Sequence, residues 1–366
     1  MTDKKRAALE ATFRSDAHGG GYRSIREAFQ DWTGARPEFL GEDFNRRVLR
    51  ESLGAGFHSG RTVESLDSAS WAQALGDAVH RVLIAEYARP GLQTWQRIVS
   101  GFSYGLDFRT QRRPRVGGYG LLPAVAEGAP YQPLDSPPDE EAQFAISKRG
   151  GTEDLTLEMI ANDDVGALQR IPQRLGRAAA VTLYRHVWDL LAANGTCTYD
   201  STALFHASHS NTDTSVPLSQ STLSLGRRAM IRQASYGQAT DILEIEPRYL
   251  VVPADLEEIA FQLTTSLVAI PATPAGPSDT PNIHRGLEVL RVPYFTDAND
   301  WYIVGDPAMC PTIELGFYSN SPDPELFTQA DPNSGSVFNI DAVSWKIRHV
   351  YSAVILDHRG FYRGQG

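Results

Sequence analysis

The stretch from Gly117 to Thr156 constrains this chain most, because it has strand character but no apolar surface large enough for a core. It is rich in Gly and Pro, and its middle, Ser136-Pro137-Pro138-Asp139-Glu140-Glu141, reads as a turn with a charged tip. Beyond that turn Phe144, Ile146 and Lys148 alternate with Gln143, Ala145 and Ser147, the two-residue period of a half-exposed strand. Gly150-Gly151 follows, and Leu155 and Leu157 then resume the alternation. The pattern predicts a long β-hairpin hinged on glycines at its base. A two-stranded hairpin is barely stable alone in water, so this arm needs a surface to lie on, and a neighbouring copy of the chain is the expected one. Phe144 and Ile146 are the candidates for its buried face, with Tyr131, Glu140 and Glu141 as further interface candidates on the same arm.

Elsewhere 31 Gly and 22 Pro are scattered in patches that leave few long regular elements among the 366 residues. A hydrophobic share of 42% and a charged share of 21% nevertheless belong to a folded chain. The formal charge of −10 argues against a protein that grips nucleic acid by surface charge. Cys197 and Cys310 can form at most one disulfide and cannot build a four-cysteine zinc site, which fits a reducing compartment. The start, Met1-Thr-Asp-Lys-Lys-Arg, leads into polar sequence with no secretory apolar region, and no apolar run approaches the ~18 residues of a membrane span.

Along the chain, Ser24–Thr33 and Asp43–Leu53 read as short amphipathic helices that need packing partners. A better helix runs from Ser68 to Tyr87, with Trp71, Leu75, Val79, Val82 and Leu83 at helical spacing and Pro90-Gly91 as its stop. After the start signal Asn162-Asp163-Asp164 comes the strongest helix, with Pro172 suited to the first turn of its main segment and Asn194-Gly195 to its end. Leu175, Ala178, Ala179, Leu183, Val187 and Leu190 mark its expected apolar stripe. Ser219 caps a helix reaching about Gln233, Tyr249–Val252 is a buried strand, and Asp255–Thr265 is helical. Pro271 to Pro281 reads as an exposed loop. The C-terminal part is β in character: Val289–Arg291, Trp301–Val304, and Val343, Trp345 and Ile347 alternating with Ser344, Lys346 and Arg348.

Candidate chemistry is sparse. Gly101-Phe-Ser103-Tyr-Gly105 has the spacing of a nucleophile elbow, but the helix that should follow is replaced by a basic, proline-broken stretch. His206 and His209 lie three apart in a segment of loop composition, and Asp200 or Asp213 could complete a metal set on paper; backbone-satisfying loop histidines are the expectation, with no metal. The acidic pairs Asp163-Asp164 and Glu257-Glu258 sit where helices start, where negative charge complements the dipole. Arg109, Arg112, Arg113 and Arg115 form a basic run suited to a carboxylate clamp between subunits, since guanidinium forks pair with carboxylates. No phosphate-binding glycine loop is present, and neither a catalytic residue nor a cofactor is expected.

Several runs in register carry a resemblance. Leu155-Thr-Leu-Glu158-Met-Ile-Ala-Asn162-Asp163-Asp164 followed by Ile171-Pro172-Gln-Arg-Leu175-Gly176-Arg177-Ala178-Ala179, then Ala203-Leu204-Phe205-His206-Ala207-Ser208-His209-Ser-Asn211, then Tyr249-Leu-Val-Val-Pro253-Ala-Asp-Leu256-Glu and Trp301-Tyr302, resemble the tailed-phage major head subunits of the Mu-like prophage group. The leader motifs Ser24-Ile-Arg-Glu-Ala and Asp31-Trp-Thr-Gly34 are similar to a segment preceding the shell part in phage protease–capsid fusions.

The resemblance covers roughly residues 68 to 360. It implies an α+β fold of the Hong Kong 97 type, with 1–112 as N-terminal arm and leader helices, 113–157 as the E-loop, 158–211 as the peripheral domain with its spine helix, 212–338 as the axial domain and 339–366 returning to the peripheral domain. The implied function is a shell subunit that assembles as hexamers and pentamers around double-stranded DNA touched only non-specifically. Portal, scaffold or decoration proteins are its expected partners, with no membrane. The alternatives are an encapsulin-type compartment or, from another class, a hydrolase or metal enzyme using Ser103 or His206 and His209. Some members cross-link through a hairpin lysine; here the nearest is Lys148, at the base, so no covalent linkage is expected. The leader is expected to stay as an ordered arm.

Overall fold

The computed structural model describes residues 2–13, 21–22, 25–33, 64–134, 136–156, 165–269, 280–329 and 342–366. The expected helix at Asp43–Leu53, the start signal Asn162-Asp163-Asp164, Leu157 and most of the Pro271–Pro281 loop lie outside these residues. Helices are α1 (Thr2–Phe13), α2 (Ile25–Thr33), α3 (Glu64–Tyr87), α4 (Val165–Ala192), α5 (Gln220–Ile231) and α6 (Glu257–Thr265). Strands are β1 (Val99–Leu106), β2 (Gln111–Val116), β3 (Asp139–Phe144), β4 (Ser147–Thr156), β5 (Thr212–Asp213), β6 (Ala234–Ser235), β7 (Gln238–Ile242), β8 (Pro247–Val252), β9 (Glu288–Arg291), β10 (Trp301–Gly305), β11 (Ile313–Tyr318), β12 (Glu325–Gln329), β13 (Ala342–Ile355) and β14 (Phe361–Gly364). None of the described helices is long and apolar enough to cross a membrane.

The chain divides into two compact units, each assembled from three separate stretches. The first takes residues 1–93, 148–183 and 321–350. Here α1 and α2 pack on α3, burying Leu9, Phe13, Ala28 and Phe29 with Leu75, Val79, Val82 and Leu83. The helices that are too short to stand alone thus lean on the chain's own long helix. The side chain of Trp71, expected on that stripe, lies outside the described set. Gly176 of α4 meets the Leu83 carbonyl so closely that a Cβ would sit 2.5 Å from it, so the absence of a side chain sets this helix contact. β13 supplies the expected alternation in this unit: Trp345 and Ile347 are buried, while Lys346 and Arg348 place their cations over the Phe327 ring at 4.6 and 4.7 Å.

The second unit takes residues 94–147, 184–320 and 351–366. Its sheet runs β5-β14-β10-β8-β9, with β8 antiparallel to β10 and parallel to β9. Every residue of β10 is buried, as a strand covered on both faces requires. Trp301 and Ile303 point to a cluster with Leu223 and Met230 of α5 and Leu250, Val252 and Leu263, whereas Tyr302 turns the other way onto Phe205 and Phe295. Each such large side chain contributes roughly 1.5–3 kcal/mol on burial. Ser219 caps α5 with a full capping box, its Oγ accepting from the Thr222 N–H, as its position before the helix suggests. Both cysteines are buried and free, and burial pushes the Cys197 thiol up to about 12.

Two sequence expectations about α4 change. The helix starts at Val165, so Pro172 lies inside it and not in its first turn. Its buried positions among the described residues are Ile171, Pro172, Gly176, Ala180, Leu183, Tyr184, Val187, Trp188 and Leu191, while Ala178 is exposed. The stripe rotates because Tyr184 and Trp188 hold the largest apolar area and take the inward positions.

Candidate functional site

The most unusual local structure is the extension from Gly117 to Pro138 and its root, all in the second unit. β2 and β3 pair antiparallel from Gln111↔Phe144 to Val116↔Asp139, and the Gly117 N–H then donates to the Pro138 carbonyl at 2.9 Å. Beyond this clasp the described residues run without strand pairing, and the turn lies at Ala126–Ala129, where Gly128 adopts φ 75°, a left-handed conformation that favours glycine. The extension is therefore a strapped root carrying an irregular loop. Its tip is Glu127-Gly128, not Ser136–Glu141 as the turn-forming prolines suggested. Those prolines instead bring the chain back into β3.

This moves the candidate residues. Glu140 and Glu141 lie in the ladder at the root, where Glu141 pairs with Arg112 at 3.3 Å on the outer side. Phe144 and Ile146 are buried in the single chain, at 7% and 5% exposed. Tyr131 is 87% exposed, and Leu121 and Leu122 are 75% and 79% exposed, so the apolar surface of the arm is on its loop.

Alternation along β2 turns Arg113 and Arg115 inward, and alternation along β3 turns Glu140, Ala142 and Phe144 to meet them. Arg113 donates from Nε to both oxygens of Glu314 at 2.7 and 2.9 Å, and its guanidinium stands 5.6 Å over the Phe144 ring. Arg115 bridges Glu140 and Asp357, and Arg359 Nη1 reaches the same two carboxylates at 3.4 and 3.0 Å. Burial opposes the charge on Arg115, but Asp357 and Glu140 outweigh it and hold its pKa above the ordinary value. The basic run thus clamps carboxylates, but they belong to this chain. Arg109 stays on the surface beside Asp107. The Asp357-His-Arg359 run was missed in sequence; its signal is three ionisable residues set between the apolar pairs Ile355-Leu356 and Phe361-Tyr362.

Ser103 sits within β1, paired with Gly316, and not on a strand-to-helix turn. Its hydroxyl donates to Glu314 and accepts from Arg113 Nη2 at 2.9 Å, so among the described residues its partners are a carboxylate and a guanidinium. His206 caps the short helical turn Ala207–His209, and its ring bonds to Ser208. His209 is buried between Asp200 and the Leu204 carbonyl and stacks on His358 at 3.8 Å. Asp213 accepts from the Tyr362 hydroxyl and does not join that group. Glu257 and Glu258 occupy the first turn of α6, as expected for helix-start acids.

A family described as phage capsid protein matches residues 139–364, more than half of the chain. No curated protein matches it. Among solved structures, it is similar to one from Mycobacterium phage Ogopogo at 16% identity and TM-score 0.44, covering 74% of this chain and 91% of that one. The Cyanophage Pam1 capsid asymmetric unit gives 13% identity and TM-score 0.49, covering 76% and 92%. The procapsid of bacteriophage JBD30 gives 12% identity and TM-score 0.43, covering 81% and 75%. The chain belongs to the phage capsid protein family.

Proposed function

We propose that this capsid protein assembles as hexamers and pentamers into an icosahedral head around double-stranded DNA, acting through its interfaces and not as a catalyst. Residues 113–157 serve as the E-loop, 1–112 as the N-terminal arm, 158–211 as the peripheral domain, 212–338 as the axial domain, and 339–366 return to the peripheral domain. Assembly takes place in the host cytoplasm, with portal, scaffold or decoration proteins completing the head. The observation that carries the reading is the loop beyond the Gly117–Pro138 clasp, which leaves Tyr119, Leu121, Leu122 and Tyr131 between 59% and 87% exposed. Apolar side chains held out in this way are covered when a neighbour receives them. The net charge of −10 suits a wall that encloses DNA without binding it tightly.

The test is the double variant Leu122→Asp/Tyr131→Asp, examined by negative-stain microscopy and by thermal melting. The expected result is a soluble chain with an unchanged melting midpoint and no shells. Normal particles from this variant overturn the reading of the loop as the intersubunit arm.

A further inference from the structure

Among the described residues one group of histidine and acidic side chains converges its ligand atoms: Asp200, His209 and His358, all within 4.8 Å of one another. The sequence shows only two of the three, because His358 is remote in the chain from the others. The turn between Thr196 and Ala203 presents Asp200, whose Oδ1 is fixed by the Thr202 N–H at 3.0 Å. The helical turn Ala207–His209 presents His209, and the turn before β14 presents His358.

The hydrogen bonds around the rings orient them as ligands. A carbonyl can only accept, so His209 Nδ1 carries a proton toward Leu204 O at 2.9 Å, and Nε2 faces Asp200 Oδ2 at 2.6 Å. A neutral His209 would therefore point a lone pair at a carboxylate, a contact that needs either a proton or a metal ion between them. The Nδ1 of His358 is likewise held, by the Tyr199 hydroxyl at 2.8 Å. Such outer bonds on the far nitrogen are how metal-binding imidazoles are fixed in tautomer and direction. Both rings also line an open groove of about 720 Å³, which leaves room for water in the remaining coordination positions.

We infer that Asp200, His209 and His358 form a divalent transition-metal site of two imidazoles and one carboxylate, which braces the Thr196–Ala203 turn against the C-terminal segment. Ions of the Zn²⁺ class suit this donor set. Ligand atoms on such an ion at 2.0–2.1 Å stand about 3.3 Å apart, so His209 Nε2 and Asp200 Oδ2, now 2.6 Å apart, must part as the ion enters between them. The parallel rings, 6° from coplanar orientation, must also tilt out of their stack. Arg228 and Arg232 on the groove wall oppose a cation and weaken its binding.

The test uses the full chain stripped with EDTA and returned to Zn²⁺, with bound metal measured by mass spectrometry and stability by thermal melting. The expected result is about one Zn²⁺ per chain and a melting midpoint raised by ~2–5 °C. Asp200→Asn and His358→Gln should each weaken binding by at least ~10-fold, whereas His206→Ala, whose ring bonds only within its own turn, leaves it unchanged. Co²⁺ should give the visible absorption of a low-symmetry nitrogen–oxygen site in the parent chain and lose it in Asp200→Asn. If His358→Gln does not fold, the partly exposed Asp200→Asn carries the test. Metal content at the level of the Asp200→Asn control, or equal loss in His206→Ala, overturns the site and leaves a proton as the occupant between His209 and Asp200.

Discussion

Arg115 stands directly opposite Glu140 on the two-stranded ladder at the root of the extension, and both side chains turn to the inner face. Asp357 and Arg359 complete a set of two cations and two anions, in which Glu140, Asp357 and Arg359 are no more than 9% exposed. Sheet alternation alone would place these charges wrongly, inside the unit. They are tolerated because each finds an opposite charge and because the set joins the extension's root to the C-terminal segment.

Removing one member should therefore cost far more than removing a surface pair. Glu140→Ala leaves Arg115 and Arg359 short of a carboxylate and is expected to destabilise the chain by about 3 kcal/mol. Glu141→Ala, which loses the outer pair with Arg112 and a hydrogen bond from the Gln143 side chain, should change stability by less than about 0.5 kcal/mol. Urea denaturation of the two variants side by side decides it, and equal midpoints would show that the inner network contributes nothing special.

Gly226 of α5 packs flat on the sheet, and a Cβ there would lie 2.7 Å from Ile303 and from the Tyr362 ring. Gly226→Ala should push this helix off the sheet and cost about 1–3 kcal/mol. Gly101→Ala meets no atom within 4 Å and has no left-handed backbone, so it should be neutral or slightly stabilising. Thermal midpoints of the pair test the packing directly.

Acid sensitivity has an identifiable source in the first unit. Burial lowers the His349 pKa to about 4, with Arg149 acting the same way and the Pro322 carbonyl and Glu325 opposing. The unfolded histidine titrates near ~6.5, so between pH 6.5 and 4 the unfolded chain binds more protons and stability rises with pH. The contribution is complete above pH 6.5 and falls by about 3 kcal/mol on reaching pH 4. His349→Gln, which keeps a donor for the Pro322 carbonyl, should flatten this limb in melts recorded from pH 7 to 4; an unchanged slope would assign the acid sensitivity elsewhere.

Covalent cross-linking between subunits is not expected. Lys148 is the second residue of β4, remote along the chain from the Glu127-Gly128 tip. Assembled particles boiled in SDS should run as a single band near 40.2 kDa. A ladder of higher bands resistant to boiling and reductant would refute it.

Much of the fold was legible because its signals are local. Ser219 announced its capping box, the run Tyr249-Leu-Val-Val252 its burial, and the Trp345/Ile347 alternation its face. The extension was legible as an arm without a core, but not the position of its tip: Pro137-Pro138 has the chemistry of a turn wherever it falls, and only the β2–β3 register shows that it ends the loop. The same limit governed the candidate interface. Phe144 and Ile146 read as an exposed arm's apolar face because alternation fixes only that two residues share a side, not which side the molecule covers.

The sequence by itself determined the class of this protein and its local elements, since capping, periodicity and a core-less Gly/Pro arm depend on neighbours a few residues apart. Only the tertiary structure decided where the charges went. Arg115 and Glu140 meet Asp357 and Arg359, and His209 meets His358, across separations that no spacing rule spans. Those encounters depend on strand register and burial, which are set by the packing of the whole unit and not by any one stretch of chain.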